Sequence, residues 1–139
     1  EMEEIVSTYV DQVVLPTYAD LVTRTAALRQ SIVLLSNQPS SANFKKAADL
    51  WIEAREPWET SEAFLFGPVA DLGLDPNIDS WPLDVDAIKG VMESGNIEEL
   101  IKWEGDYDEE NEDIEAAQNV RGFHTLEFLL FKDGKARTY

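Results

Sequence analysis

Apolar positions recur at helical spacing from the start of this chain. Ile5, Val6, Tyr9 and Val13, then Leu21, Leu28, Ile32 and Leu35, fall three, four or seven apart, which predicts a helix over about Met2 to Ser36. Pro16 lies inside it. Proline lacks the N–H that would bond four residues back, so a kink or break is expected near Gln12 to Pro16. Asn37 to Ser41 reads as a turn, and Ser40 or Ser41 as the N-cap of a second helix through Phe44, Ala47, Ala48, Trp51, Ala54 and Arg55. Pro57 sits within that pattern and should free the carbonyl of Glu53. The pattern resumes with Trp58, Ser61, Glu62, Phe64 and Leu65 and stops at Gly67-Pro68.

Asp71 to Leu83 carries Gly73, Pro76 and Pro82 and reads as a long loop, a kind of segment that often serves function. Asp84 can cap a short helix to about Glu93. Asn96 and Glu99 resemble a capping box for Ile97 to Trp103. The last helix is expected from about Asp113 to Phe131. Nowhere is there a period-two alternation long enough for a sheet. The pattern predicts an all-α chain, an antiparallel helical bundle of three long helices and one or two short ones.

Length and composition narrow the function. The 139 residues suit one domain, 1–139. With no cysteine, a disulfide scaffold, a thiolate zinc site and a thiol nucleophile are excluded. The net charge of −17 leaves no basic footprint for nucleic acid and favours cationic partners, metal ions included. No apolar run reaches the roughly 18–20 residues that span a bilayer, so the chain is not expected to be transmembrane. It begins at Glu1 within a helical pattern, so any leader or lipid anchor is expected to have been removed. Eight acids fall between Glu104 and Glu115. They lack the glycine and spaced glutamate of a calcium loop and read as a solvated acidic loop at about 104–113.

The chemistry centres on His124 and Glu127. Residues three apart share a helix face, and Phe123, Leu126, Phe128, Leu129, Leu130 and Phe131 surround the pair with apolar surface. A buried carboxylate is costly unless paired or bound to a metal. Two readings follow: a metal site, or a core histidine hydrogen-bonded to a neighbouring carboxylate. As His124 is the chain's single histidine, a metal site would be rich in carboxylate and water, which suits iron, manganese, calcium or magnesium better than structural zinc. Glu62 and Asp79 are the candidate facing ligands. Arg55, Trp58 and Ser61 near Glu62, Trp81 in the long loop, and Gly122 before the histidine are candidate lining residues. Glycine inside a helix costs about 1 kcal/mol against alanine, so Gly122 points to close packing or a kink.

Gly122-Phe-His124-Thr-Leu-Glu127 matches the Gly-x-His-x-x-Glu motif of the imelysin family. Val14-Leu-Pro-Thr-Tyr18, Trp51, Ala54-Arg55 with Pro57-Trp58, Ser61-Glu-Ala-Phe64 with Phe66-Gly-Pro68, and Ile78-Asp-Ser-Trp-Pro82 resemble further imelysin blocks, in the family's order. The resemblance implies the first of two helical bundles, with the motif facing a cleft, and hence a missing C-terminal imelysin domain as partner. It also implies a bacterial cell-envelope location, periplasmic or as an outer-membrane lipoprotein, and an envelope iron-uptake partner. The function expected from it is binding or uptake of a divalent metal, iron first and zinc or manganese next, with His124, Glu127, Glu62 and Asp79 as ligands. One alternative is a metallopeptidase that uses His124 and Glu127 as ligands; another is a non-catalytic interaction domain.

Overall fold

A computed structural model of the chain describes residues 1–97 and 118–139, and in it neither long helix ends at its internal proline. Helix α1 (Met2–Tyr9) passes through a π-helical turn (Val10–Val14) into α2 (Leu15–Asn37). The Leu15 amide donates to the carbonyl of Val10, five residues back. The ladder thus slips by one residue just before Pro16, which meets the expected break with a widened turn.

Helix α3 (Ser41–Ser61) starts where the sequence predicts. The Ser40 hydroxyl accepts from the amide of Asn43 at 3.2 Å. The short turn between α2 and α3 folds them back as an antiparallel pair. Pro57 removes the donor that would satisfy the Glu53 carbonyl. Arg24 of α2 supplies one, its Nη1 donating to Glu53 O at 3.0 Å. The same guanidinium pairs with Asp20 at 2.9 Å and with Glu56 at 2.6 Å. These hydrogen bonds hold the charged form and raise the Arg24 pKa above its ordinary value.

These elements belong to a first compact unit, Glu1–Phe64 with Leu130–Tyr139. Its core is built from Leu28 on α2, Ala47, Ala48, Ala54 and Trp58 on α3, Phe64, and Leu130. The alanines let the two helices approach closely, and Trp58, 1 % exposed, fills the space beside them. Phe64, at the end of a 3-10 turn (Glu62–Phe64), meets Tyr18 edge-on at 5.5 Å and Tyr9 at 6.3 Å. Burial pushes the Tyr18 phenol above the usual tyrosine range, partly offset by Ser61. Trp51 packs edge-on against Phe131 at 5.5 Å.

The same unit contains a small sheet that the pattern does not predict. Strands β1 (Phe131–Lys132) and β2 (Lys135–Ala136) pair antiparallel about Asp133 and Gly134, whose φ values are +52° and +72°. Asp-Gly with both φ positive is the two-residue hairpin turn whose twist matches the strands. Two-residue strands are too short to show alternation.

The second unit, Leu65–Leu129, is described by itself. Helix α4 (Pro68–Asp71) leads up to the stretch from Asp71 to Leu83 where a loop is expected, and within that stretch stands a short helix, α5 (Leu74–Asp79). Helix α6 (Val85–Ser94) follows, capped by Asp84, whose carboxylate accepts from Ala87 N at 2.8 Å. Of the helix expected from about Asp113 to Phe131, residues 113–117 lie outside the described residues, and the motif helix α7 (Phe123–Leu130) begins after a turn at Gly122, φ +92°. Gly122 is therefore not a residue of a helix interior. Ile88, Val120 and Phe123 are its buried apolar residues among those described. The expected helix over Ile97 to Trp103 and the acidic loop at 104–113 lie outside the described residues, apart from Ile97. The fold is all-α. Among the described residues no helix is long and apolar enough to cross a membrane.

The Arg24 contact gives a prediction. In a Pro57→Ala background residue 57 regains its N–H and can bond Glu53 directly. Arg24→Met should then cost less in urea-unfolding midpoint than it does in the native sequence. Equal costs in the two backgrounds would show that Arg24 does not replace the bond that proline removes.

Candidate functional site

His124 is the second residue of α7, and Glu127 follows on the same face. Its Nδ1 lies 3.2 Å from Glu127 Oε2. Its other ring nitrogen, Nε2, lies 3.3 Å from Oδ1 of Asp79, the last residue of α5. Imidazole is thus flanked by a carboxylate on each nitrogen. Trp81 covers one side of the ring, with centroids 4.9 Å apart and the planes tilted by 58°.

Burial separates the two acids. The Asp79 side chain is 6 % exposed, that of His124 21 %, and that of Glu127 47 %. The argument that a buried carboxylate needs a partner therefore applies to Asp79 more than to Glu127. Trp81 is 71 % exposed, so the indole forms a wet rim over the ring.

Gly122 brings Asp79 to the histidine. A Cβ at position 122 would stand 2.4 Å from the Ile78 carbonyl oxygen and 2.8 Å from its carbon. No side chain fits there, and the positive φ suits glycine. The backbone entering α7 therefore lies directly against the last turn of α5. Polar contacts hold the same juncture. Ser80 Oγ donates to Asn119 Oδ1 at 2.8 Å, the Asp84 amide donates to Asn119 O at 3.2 Å, and Arg121 Nη2 donates to Asn77 Oδ1. Burial disfavours the charge on Arg121 and lowers its pKa. Asn77 and Asn119 are absent from the sequence expectations. Asn77 lies inside α5 and Asn119 in a turn, and an isolated asparagine in either place carries no signal of a partner some forty residues away.

The remaining expected residues belong to the first unit. Arg55 is ion-paired to Glu59 at 2.5 Å one turn along α3. Trp58 is core, and Ser61, fully buried, donates to the Trp58 carbonyl at 2.7 Å. Glu62 opens the 3-10 turn on the exposed side. Among the described residues no group of three or more histidines and carboxylates is gathered tightly enough to hold a metal ion.

What the constellation can do follows from donor counting. Neutral imidazole carries one N–H, so it can donate to only one of the two carboxylates. The other contact calls for a second proton or for a cation at that nitrogen. Nitrogen and oxygen ligands at about 2.0–2.2 Å from one ion stand roughly 3–3.4 Å apart when adjacent. The 3.3 Å separation of Nε2 and Asp79 Oδ1 falls in that range, and an imidazole with a carboxylate suits a hard or borderline divalent cation.

Comparison with known proteins supplies context. A family model described as Imelysin (Peptidase_M75) matches residues 14–139. The solved structure of an imelysin peptidase from Bacteroides ovatus is 54% identical and superposes with a TM-score of 0.90, over 96% of this chain and 37% of that one. A protein described as an iron-regulated protein A precursor, from Parabacteroides distasonis, is 42% identical with a TM-score of 0.86, over 96% of this chain and 35% of that one. Iron-regulated protein A of Synechococcus elongatus is 32% identical over 124 residues, 88% of this chain and 30% of its own length. The chain spans about a third of the length of these relatives.

The close approach at Gly122 is testable. Gly122→Ala must either abandon φ near +92° or push α5 away. It should cost about 1–3 kcal/mol in stability and move the His124 ring-nitrogen resonances as Asp79 withdraws. Unchanged His124 signals in a folded variant would show that the contact does not set the Asp79 position.

Proposed function

Because the chain belongs to the imelysin family, matched over residues 14–139, we propose that it is a cell-envelope protein that binds a divalent metal ion, iron first, at His124 and Asp79. The observation that carries the reading is a buried carboxylate against one ring nitrogen while the opposite nitrogen is engaged by a second carboxylate. In this reading Nε2 and Asp79 hold the ion. Glu127 accepts from Nδ1–H and so fixes the tautomer and the orientation of the ring, as carboxylates commonly do behind ligating histidines. Water completes the shell. Trp81 limits access to one side of the ring. The iron assignment and the envelope location draw on the iron-regulated relatives, one of them described as a precursor.

The Bacteroides ovatus relative is described as a peptidase, and this supports a second reading. A metal bound at such a site supplies Lewis acidity and can lower the pKa of its water to about 7. Peptide cleavage would further need a general base suitably placed beside that water.

Titration with ferrous iron, manganese and zinc, followed by calorimetry and by the His124 ring resonances, separates these readings. His124→Ala and Asp79→Asn should abolish binding. Glu127→Gln should weaken it by about tenfold to a hundredfold. Equal losses from Glu127→Gln and His124→Ala would make Glu127 a ligand. Absence of binding by the wild-type protein would remove the metal reading. Peptide cleavage by the metal-loaded protein that is lost in His124→Ala would favour the peptidase.

A further inference from the structure

The hairpin formed by β1 and β2 is a basic island on an acidic chain. Lys132, Lys135 and Arg137 supply three of the eleven basic residues within six positions, on a chain of net charge −17. Lys132 and Lys135 are register partners, directly opposite across the Asp133-Gly134 turn. Like charges in that position repel and weaken a hairpin. Neither lysine has an ion pair or hydrogen bond to any described residue. Arg137 follows directly after the end of β2. All three line one open cavity of about 590 Å³, with Phe44 of α3 as its apolar wall and Asp133 as its one acid. The position of the hairpin is fixed: the Arg137 amide donates to Leu130 O at 2.8 Å, and the Tyr139 amide to Ser41 Oγ at 3.1 Å.

Two opposed, unpaired ammonium groups are destabilising with nothing between them and favourable with an anion between them. A volume of this size exceeds what a bare ion needs and is in the range of small-molecule sites. We propose that this cavity binds a small soluble organic anion, its phosphate or carboxylate group between Lys132 and Lys135 and its apolar part against Phe44. The site is distinct from His124 and does not depend on the metal reading. Since the rest of the chain is acidic and charge is screened within about 10 Å at ordinary salt, the attraction is local and weakens as salt rises.

The test is an NMR titration of the isotope-labelled chain with phenyl phosphate and, separately, with benzoate. We expect saturable shifts at residues 131–138 and around Phe44 with at least one probe, and the arm that saturates identifies the anion. Lys132→Gln combined with Lys135→Gln should weaken binding at least tenfold. That double variant relieves the repulsion, so the ligand-free protein should melt no lower than wild type. Lys132→Glu places opposite charges across the turn and should keep the hairpin, raise its melting temperature and lose the anion. Absence of saturable shifts with both probes, or equal affinity in a folded double variant, would overturn the proposal.

Discussion

Two backbones in contact at Gly122 set the geometry of the candidate site. The motif helix begins there, and the carbonyl of Ile78 occupies the space a side chain would need. Asp79 follows Ile78 directly, so the contact that fixes one positions the other within hydrogen-bonding reach of Nε2. Asn119 reinforces the arrangement by binding Ser80 with its side chain and Asp84 with its main chain. The imidazole and the carboxylate come from segments more than forty residues apart, and a residue without a side chain is what lets those segments meet.

How far this was legible in the sequence depended on the range of the interaction. The His124 and Glu127 pair is local, and helical spacing alone put both on one face. Asp79 was a candidate only as a carboxylate in a long loop. Its burial and its seat opposite Glu127 are tertiary facts. The apolar surroundings of the motif suggested two buried groups, whereas Glu127 lies near the edge of that surface and is half-exposed. Gly122 is out of place inside a helix, but its spacing cannot show that it stands before one. The motif itself, together with the blocks from Val14 to Pro82, carried the family, and the matched residues agree.

The long helices were legible for a different reason. Periodicity and the Ser40 cap are short-range signals, and both survive folding. Prolines are usually read as stops because they delete a donor. Here the deleted donors are accommodated in two ways. A π turn rearranges the ladder ahead of Pro16, and an arginine from the neighbouring helix serves the carbonyl stranded by Pro57. Only the second is a contact between elements, and no single-helix rule could anticipate it. The hairpin leaves no trace in the pattern because its strands are only two residues long.

The π turn also fixes a phase. One residue of an α-helix turns it by about 100°, and the slipped hydrogen bond at Val10–Val14 holds one residue more than an uninterrupted ladder would. The turn behaves as an inserted residue retained within a continuous helix. Removing it would straighten the ladder and swing Met2–Tyr9 about the helix axis by roughly a quarter turn. Tyr9 would then leave the edge of Phe64, which it now meets at 6.3 Å. The irregularity therefore acts as an angular key, matching the face that α1 presents to the aromatic group at the end of α3.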